Sequence, residues 1–352
     1  MKPSDSSSLL PELPPGAEIL ILRLRSLGDI VLETPALRAL HSWRPDLKLS
    51  VLVEPWCAAA LEGNPDVSEV LLSRGLSATA SILRRRKFAA VFNQHGGPRS
   101  AILTGLSGSP ARIGWHGYQY SFVYNFKVPD AAGFYGRPFV HAVEHRMSQF
   151  YFCGLPRGPI PRASVYPQPD AAAFVVKFLA ERGVAPGAPY ALLQPGARLP
   201  EMRWPVAQFA ELARWLHDAH GIASVVNLGP RDEEVARAVR SDLLDIAIAA
   251  DSLNARELIA LAAGAKLFVG NDSGPAHISA AAGVPSVVIY GVTNPVQWHP
   301  WQAEHRVIST GAEFRALRGD KAVFLRSARA IGEIPAEEVI RACGDLLAAM
   351  KK

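Results

Sequence analysis

The sequence predicts an α/β protein of two domains, each built on a parallel sheet covered by helices. Three observations predict it. Apolar runs of strand length alternate with helical patterns throughout the chain. Most of these runs are continuous in Val, Ile and Leu, as in strands buried on both faces. Finally, 352 residues exceed what one core usually supports, and a proline-rich stretch without periodicity divides the chain. Open parallel sheets bind ligands at the carboxyl ends of their strands, so two linked domains are expected to share a cleft there.

Residues 1–16, "MKPSDSSSLLPELPPG", have no apolar stretch of signal-peptide length and read as a flexible lead. The first domain spans 17–155, with strand candidates "AEILILRL", "LKLSVLV", "SEVLL", "FAAVFNQ" and "ARIGW". After the first strand, Thr34-Pro35 supplies a cap and first position for the helix "PALRALHSW". The linker is 156–170, inside "GLPRGPIPRASVYPQPD". The second domain spans 171–352, with strands "PYALLQPG", "IASVVNLG", "AKLFVGN" and "PSVVIYG". It ends in "IPAEEVIRACGDLLAAMKK", where a proline opens a helix whose apolar stripe closes the domain.

With 49% hydrophobic and 20% charged residues, the composition is that of a soluble globular protein. No apolar run approaches the roughly 18 residues of a membrane span. Cys57, Cys153 and Cys343 are isolated from one another, which offers no disulfide framework or C-x-x-C site and fits a reducing cytoplasm. A net charge of +5 favours anionic partners. The basic run "RRRK", Arg84 to Lys87, reads either as a solvated helix end or as a contact for phosphates of a lipid surface or a substrate. No aromatic residues interleave with it, so nucleic acid is not an expected partner.

The chemistry concentrates in strand-to-helix loops. In "LRSLGDIVLETPALRAL" a carboxylate, Asp29, follows Gly28 where the first strand turns toward a helix, placed to cap a turn or to face a ligand. In "FVGNDSGPAHISAAAGVPSVVIYG" a buried strand ends at Asn271-Asp272, and Asp272 or Ser273 would cap the helix that follows. That helix start, with Gly274 admitting close approach and His277 one turn on, is a diphosphate site in waiting. In "LLQPGARLPEMRWPVAQFAEL" the strand ends at Gln194, Gly196 permits a tight turn, and Arg203 stands near Arg198 before a helix opening around Trp204-Pro205. Guanidinium groups suit phosphate because they stay charged and can bind in bidentate fashion. In "NLGPRDEEVARAV" Asp232, Glu233 and Glu234 favour a helix dipole, while Glu233 can also accept hydrogen bonds from a ribose.

Other chemistries find little support. His141 and His145 flank Glu144 in "HAVEH", but the order is not that of an H-E-x-x-H zinc site, and no Asp-x-Asp triplet is present to hold a divalent ion. His217 and His220 fall in a last helical turn before Gly221, where imidazoles cap carbonyls. The first strand is followed by one glycine rather than G-x-G-x-x-G, and no G-x-S-x-G elbow occurs. No cofactor and no metal are therefore expected.

These segments resemble glycosyltransferase family nine, the ADP-heptose:lipopolysaccharide heptosyltransferases, over most of the chain. "RLRSLGDIVLETPALRALHSWRPDLKLSVLVE" is similar to the family's N-terminal signature. "QPGA…MRWP…FAEL", "LGPRDEE" and "NDSGPAHISAAAGVPSVVIYGVTNP" resemble its donor-side signatures in order, and "RIGW" and "HAVEHR" are also similar. The resemblance implies a GT-B fold, two Rossmann-like domains facing across a central cleft. It implies inverting, metal-independent transfer from an ADP-sugar to a lipid-linked core oligosaccharide at the inner face of the cytoplasmic membrane. Asp29 then matches the general base and Arg203 the family's usual lysine in K-x-W-P. Gln194, Gly196, Glu233, Asp272, Ser273, Gly274 and His277 fall on the donor side. Gly28, Arg84, Arg85, Arg86 and Arg112 fall on the acceptor side. Val292 and Asn294 in "GVTNP" depart from the family's G-P-T-D-P. The alternatives are a nucleotide-sugar epimerase of similar architecture and a non-catalytic nucleotide-sugar-binding protein.

Overall fold

The computed structural model describes residues 6–229, 233–251, 253–317 and 321–350. The chain divides into two compact units, one running through Ser164 and the other taking most of the chain from Val165.

The first unit holds strands β1 (Glu18–Leu22), β2 (Lys48–Val53), β3 (Glu69–Leu72), β4 (Ala90–Asn93), β5 (Ala111–Trp115) and β6 (Phe126–Val128). They lie in the order β3-β2-β1-β4-β5-β6, every neighbouring pair parallel. Its helices are α1 (Leu9–Glu12), α2 (Leu27–Val31), α3 (Thr34–Trp43), α4 (Leu76–Arg86), α5 (Pro98–Leu106), α6 (Ala131–Tyr135) and α7 (Ala142–Phe152). Leu20 and Leu22 of β1 form one core with Leu83 of α4 and Leu103 of α5. Ile19 and Ile21 point to the opposite face by strand alternation and are equally buried. This two-sided burial is why the strand sequence is continuously apolar.

The second unit repeats the permutation. Its strands are β7 (Tyr190–Gln194), β8 (Ala223–Asn227), β9 (Ala247–Ala250), β10 (Leu267–Asn271), β11 (Ser286–Tyr290) and β12 (His305–Ser309), in the order β12-β11-β10-β7-β8-β9, again all parallel. Helices α8 (Pro169–Ala180), α9 (Val206–His220), α10 (Glu233–Asp242), α11 (Ala255–Gly264), α12 (Gly274–Ala281) and α13 (Pro295–Trp298) surround it. After a hairpin, β13 (Glu313–Leu317) and β14 (Lys321–Arg326), the chain ends in α14 (Ala336–Ala349). Val339, Cys343 and Leu346 of α14 share a core with Phe209, Leu212 and Leu216 of α9 and with β7, β10 and β11. No helix among the described residues is long and apolar enough to cross a membrane.

Besides the hairpin β13–β14, three strands of the two sheets are not among those expected from sequence: β6, β9 and β12. All three are sheet edges. Their sequences, "FKV", "AIAA" and "HRVIS", are short, alanine-rich or polar, because an edge strand is not enclosed on all sides. The expected flexible lead is corrected over its described part. A 3-10 turn at Ser6–Ser8 leads into α1, and Leu10 is wholly buried, its N–H donating to the Cys153 carbonyl at 2.9 Å. The Arg44 guanidinium donates to the carbonyls of Leu10 and Leu13, both at 2.9 Å. Gly154, at φ +103°, is required opposite this segment, since a Cβ there would lie 2.1 Å from the Ser7 carbonyl oxygen. The expected linker likewise gives up its last two residues to α8.

Leu10→Ala should lower the stability of the first unit by about 2–5 kcal/mol, the usual scale for truncating a buried leucine. Urea denaturation checks this; an unchanged midpoint would mean that the lead is not part of the core.

Candidate active site

Each sheet reverses its strand order once, between β1 and β4 and between β7 and β10. Ligands of such sheets bind outside the carboxyl ends at these switch points. The sequence-predicted residues sort themselves around them.

At the first switch point, β1 runs out at Leu22 and Arg23 follows. The five-residue α2 begins after Ser26, with Asp29 in its first turn. Asp29 Oδ2 accepts from the Ser26 N–H at 3.2 Å and from Ser26 Oγ at 2.9 Å, so it does cap α2. Its other oxygen, Oδ1, receives two guanidinium groups: Arg23 Nη2 at 2.5 Å and Arg146 Nη2 from α7 at 2.7 Å. Cap and charge cluster are thus one arrangement, and the sequence alternatives do not exclude each other. Burial alone would raise the Asp29 carboxyl, but Arg23 and Arg146 outweigh it and hold the group well below the usual carboxylate range. The side chain remains 21% exposed, whereas Arg146 is 4% exposed.

Two further residues complete the cluster. Glu33 is fully buried, with Oε2 lying 3.3 Å from Arg146 Nε, and burial pushes its carboxyl up to about 7. His95, after β4, is pushed down to about 4 by burial and by Arg23, and so stays neutral. The neighbouring turn is fixed by Asn93, whose Oδ1 accepts from the N–H groups of His95 and Gly96, both at 3.1 Å. Arg23 also donates to the Gln94 carbonyl, and the Gln94 amide donates to the Arg146 carbonyl at 3.2 Å. Arg23, Glu33 and Arg146 stand in "RLRSLGD", "LETP" and "HAVEHR", none of them among the site residues expected from sequence. A charged residue directly after a fully apolar strand was the available signal for Arg23. Thr34 differs from expectation. Glu33 occupies the N-cap position of α3, and the Thr34 hydroxyl donates to the Val31 carbonyl at 2.7 Å.

At the second switch point, three amides build the scaffold. Asn227 Nδ2 donates to Gln194 Oε1 at 2.6 Å, and Gln194 Nε2 donates to the Gly196 carbonyl at 3.1 Å. Asn271 Nδ2 donates to the Pro195 carbonyl at 2.7 Å and its Oδ1 accepts the Trp204 N–H at 3.0 Å. Gln194 is therefore buried in the loop's support instead of facing solvent. Gly196 is buried and does not take a left-handed conformation, so no tight turn demands a glycine there. Ser273 stands at the N-cap of α12 in extended conformation, but its hydroxyl donates to the Asn271 carbonyl at 3.0 Å. Among the described residues no side chain caps the helix; Pro275 has no N–H to offer and the Ala276 N–H donates to the Ser273 carbonyl at 3.1 Å. Gly274 opens α12, Asp272 is 9% exposed, and His277 is buried with its ring 6.3 Å from that of Trp298.

Arg203 lies in the same loop. Its Nε donates to the Ala197 carbonyl at 3.0 Å, and Nη1 pairs with Glu234 at 3.3 Å. Glu234 is 84% exposed, so this pair is weak enough for an anionic ligand to compete with. Glu234 is thus one acidic neighbour of Arg203 among the described residues; Glu233 is exposed at the start of α10, and Asp232 lies outside the described residues. The loop also depends on Gly291, where a Cβ would lie 2.2 Å from the Glu201 carbonyl oxygen. Asn294, the departure noted in "GVTNP", caps α13 by accepting the Val296 N–H at 3.0 Å.

Several predicted residues are not brought to either switch point. Arg86 pairs with Glu18 and Glu69, the first residues of β1 and β3, and so sits at the amino edge of its sheet. Arg84 and Arg85 are exposed in the same last turn of α4. Arg112, near the start of β5, donates to the carbonyls of Val123 (2.7 Å) and Ser109 (2.9 Å) and holds a loop. A βα unit returns its helix to the amino end of the next strand, which is why these arginines miss the site. Gly28, by contrast, is buried in α2 beside Asp29. His141 caps α7 and His145 stacks on Trp115 with ring centroids 4.0 Å apart, which accounts for both without a metal. Among the described residues no group of His, Cys, Asp and Glu is placed to hold a metal ion.

Comparison with known proteins converges on one family. Lipopolysaccharide heptosyltransferase 3 of Escherichia coli is 28% identical over 346 residues, covering 92% of this chain and 97% of its own. The solved glycosyl transferase family 9 protein of Veillonella parvula superposes with a TM-score of 0.82 at 22% identity, covering 96% of this chain and 99% of its own. The E. coli ADP-heptose lps heptosyltransferase II does so with a TM-score of 0.78 at 22% identity, covering 95% and 100%. These likenesses give the fold, two parallel six-stranded sheets of GT-B type. Residues 77–321 match the profile of glycosyltransferase family 9 (heptosyltransferase). With most of its length in that match, the chain belongs to glycosyltransferase family 9, the heptosyltransferases.

Proposed function

We propose that this glycosyltransferase moves a heptose, or a closely related sugar, from an ADP-sugar to a lipopolysaccharide core acceptor, with inversion and without a metal ion, using Asp29 as general base. The observation that carries this is the Asp29 cluster at the carboxyl edge of the first sheet. It is a part-exposed carboxylate fixed by Ser26, Arg23 and Arg146. ADP-heptose and lipopolysaccharide are named for relatives that match nearly the whole chain, and they supply the substrate classes.

In this reading the acceptor hydroxyl attacks the anomeric carbon from the face opposite the diphosphate. The new C–O bond forms as the bond to the phosphate oxygen breaks, and the hydroxyl proton passes to Asp29. Two arginines make Asp29 a weak base at rest. That weakness suits the reaction, because the hydroxyl becomes strongly acidic only as its oxygen bonds to an oxocarbenium-like carbon. A weak base also releases the proton readily afterwards.

The second unit, within 171–352, takes the donor. Charge developing on the leaving ADP meets Arg203 and the uncapped start of α12, with Asp272, Ser273, Gly274 and His277 around the diphosphate and sugar. Glu233 is at hand for the ribose, and Gln194 and Gly196 serve by shaping the loop. The first unit, within 17–155, takes the lipid-linked acceptor. A cytoplasmic enzyme resting on the inner membrane face fits such an acceptor. The exposed Arg84 and Arg85 would meet anionic headgroups there rather than the reacting sugar.

Three outcomes test the reading. Asp29→Asn should lower turnover by about 10²–10⁴-fold, the range for loss of a general base, while the dissociation constant for the ADP-sugar stays near wild type. Turnover within a few-fold of wild type would remove Asp29 as base. Arg203→Ala should weaken donor binding by roughly 1.5–3 kcal/mol, as for a charged hydrogen bond, and calorimetry reads it directly. Transfer should persist undiminished in EDTA; loss of activity restored by Mg²⁺ or Mn²⁺ would count against a metal-free mechanism.

A further inference from the structure

Glu33 is the carboxyl of the Asp29 cluster to which the mechanism above gives no role. It is completely buried, yet among the described residues neither carboxyl oxygen accepts a well-directed hydrogen bond. A buried carboxyl without such bonds is costly and calls for an explanation. The charged groups facing it come from three elements: Arg146 from α7, Arg23 from the end of β1 and Asp29 from α2. Arg146 is shared, with Nε 3.3 Å from Glu33 and Nη2 2.7 Å from Asp29. Its Nη1 is committed to the Ala142 carbonyl at 2.6 Å, which keeps the fork in place between the two carboxyls.

We propose that Glu33 is a positioning residue whose negative charge offsets Arg146 and so sets how readily Asp29 takes the acceptor's proton. The inference rests on Asp29 being the base. With Glu33 ionised, two arginines face two carboxylates and the cluster is neutral; proton capture by Asp29 then leaves it at +1. With Glu33 protonated the cluster starts at +1 and must reach +2, out of water and next to an oxocarbenium-like centre. Ionised Glu33 is therefore the active form, and no proton passes through it. Burial holds its carboxyl up to about 7, so the change of state falls in the neutral range.

The single-turnover rate with saturating donor and acceptor, followed from pH 5.5 to 8.5, tests this. Wild type should gain rate through the neutral range and then level off. Glu33→Gln should run flat across that range at the acid-side rate, about tenfold below wild type at pH 8, with donor affinity unchanged. Glu33→Asp should restore a limb, displaced in pH. A wild-type profile without that limb would overturn the proposal, as would a Glu33→Gln profile that keeps it. The wild-type result decides even if the variants do not fold. A second readout is stability. Folding raises the Glu33 carboxyl, so the native state resists its ionisation, and the penalty grows from about pH 4.5 to about pH 7. The stability of Glu33→Gln relative to wild type should therefore rise between pH 5 and pH 8, and a constant difference would contradict an ionising Glu33. Asp29→Asn separates the two readings. If it stays active the base assignment fails; if it is inactive while Glu33→Gln keeps the limb, only the role of Glu33 fails.

Discussion

Two guanidinium groups converging on one carboxylate oxygen are the constraint around which the first unit is organised. Arg23 and Arg146 approach Asp29 Oδ1 at 2.5 and 2.7 Å from elements separated by more than a hundred residues in sequence. Like charges this close, with one arginine almost fully buried, are tolerable only if anions stand between them. Asp29 supplies one anion and Glu33 the other. The surrounding backbone is arranged to match: Ser26 fixes the remaining oxygen of Asp29, the Gln94 carbonyl holds Arg23, and the Ala142 carbonyl holds Arg146. Removing any one member would leave the others miscounted in charge, which is a stronger constraint than the cap of a five-residue helix could impose.

The second unit meets the equivalent place in its sheet with neutral chemistry. Gln194, Asn227 and Asn271 are buried amides: Asn227 bonds Gln194, and Gln194 and Asn271 bond the backbone of the loop after β7. Charge there is kept near the surface, in Arg203 and its exposed partner Glu234. Under the proposed function the contrast has a physical sense. A group that must exchange a proton benefits from a low-dielectric cluster that tunes its affinity. A group that must capture a diphosphate benefits from a cation that a ligand can win from a weak partner, beside a helix start whose N–H groups no side chain has filled.

Much of this was legible in sequence because central strands of a doubly wound sheet are apolar on both faces and therefore conspicuous. The edge strands β6, β9 and β12 were not, since edges need no such continuity. Asp29, Arg203 and the Asp272–Ser273–Gly274 turn could be picked out because each lies in a strand-to-helix loop. Arg146 and Glu33 could not. In sequence Glu33 is an ordinary acidic residue before a helix, and Arg146 is one basic residue on a helix; only the packing of α7 brings them together. For Arg84, Arg85 and Arg86 the charge density suggested a contact with phosphates, and for Arg112 the resemblance in "RIGW" suggested the acceptor side. The direction of the βα crossover instead placed Arg86 on Glu18 and Glu69 at the amino edge.

The most direct test of the account is a crystal structure of the protein with a non-transferable fluorinated ADP-sugar and a core-oligosaccharide acceptor. The account predicts an acceptor hydroxyl within hydrogen-bond reach of the Asp29 carboxylate, about 2.6–3.2 Å, and on the face of the sugar opposite the diphosphate. A hydroxyl directed at another group, with Asp29 still closed off by Ser26, Arg23 and Arg146, would contradict it.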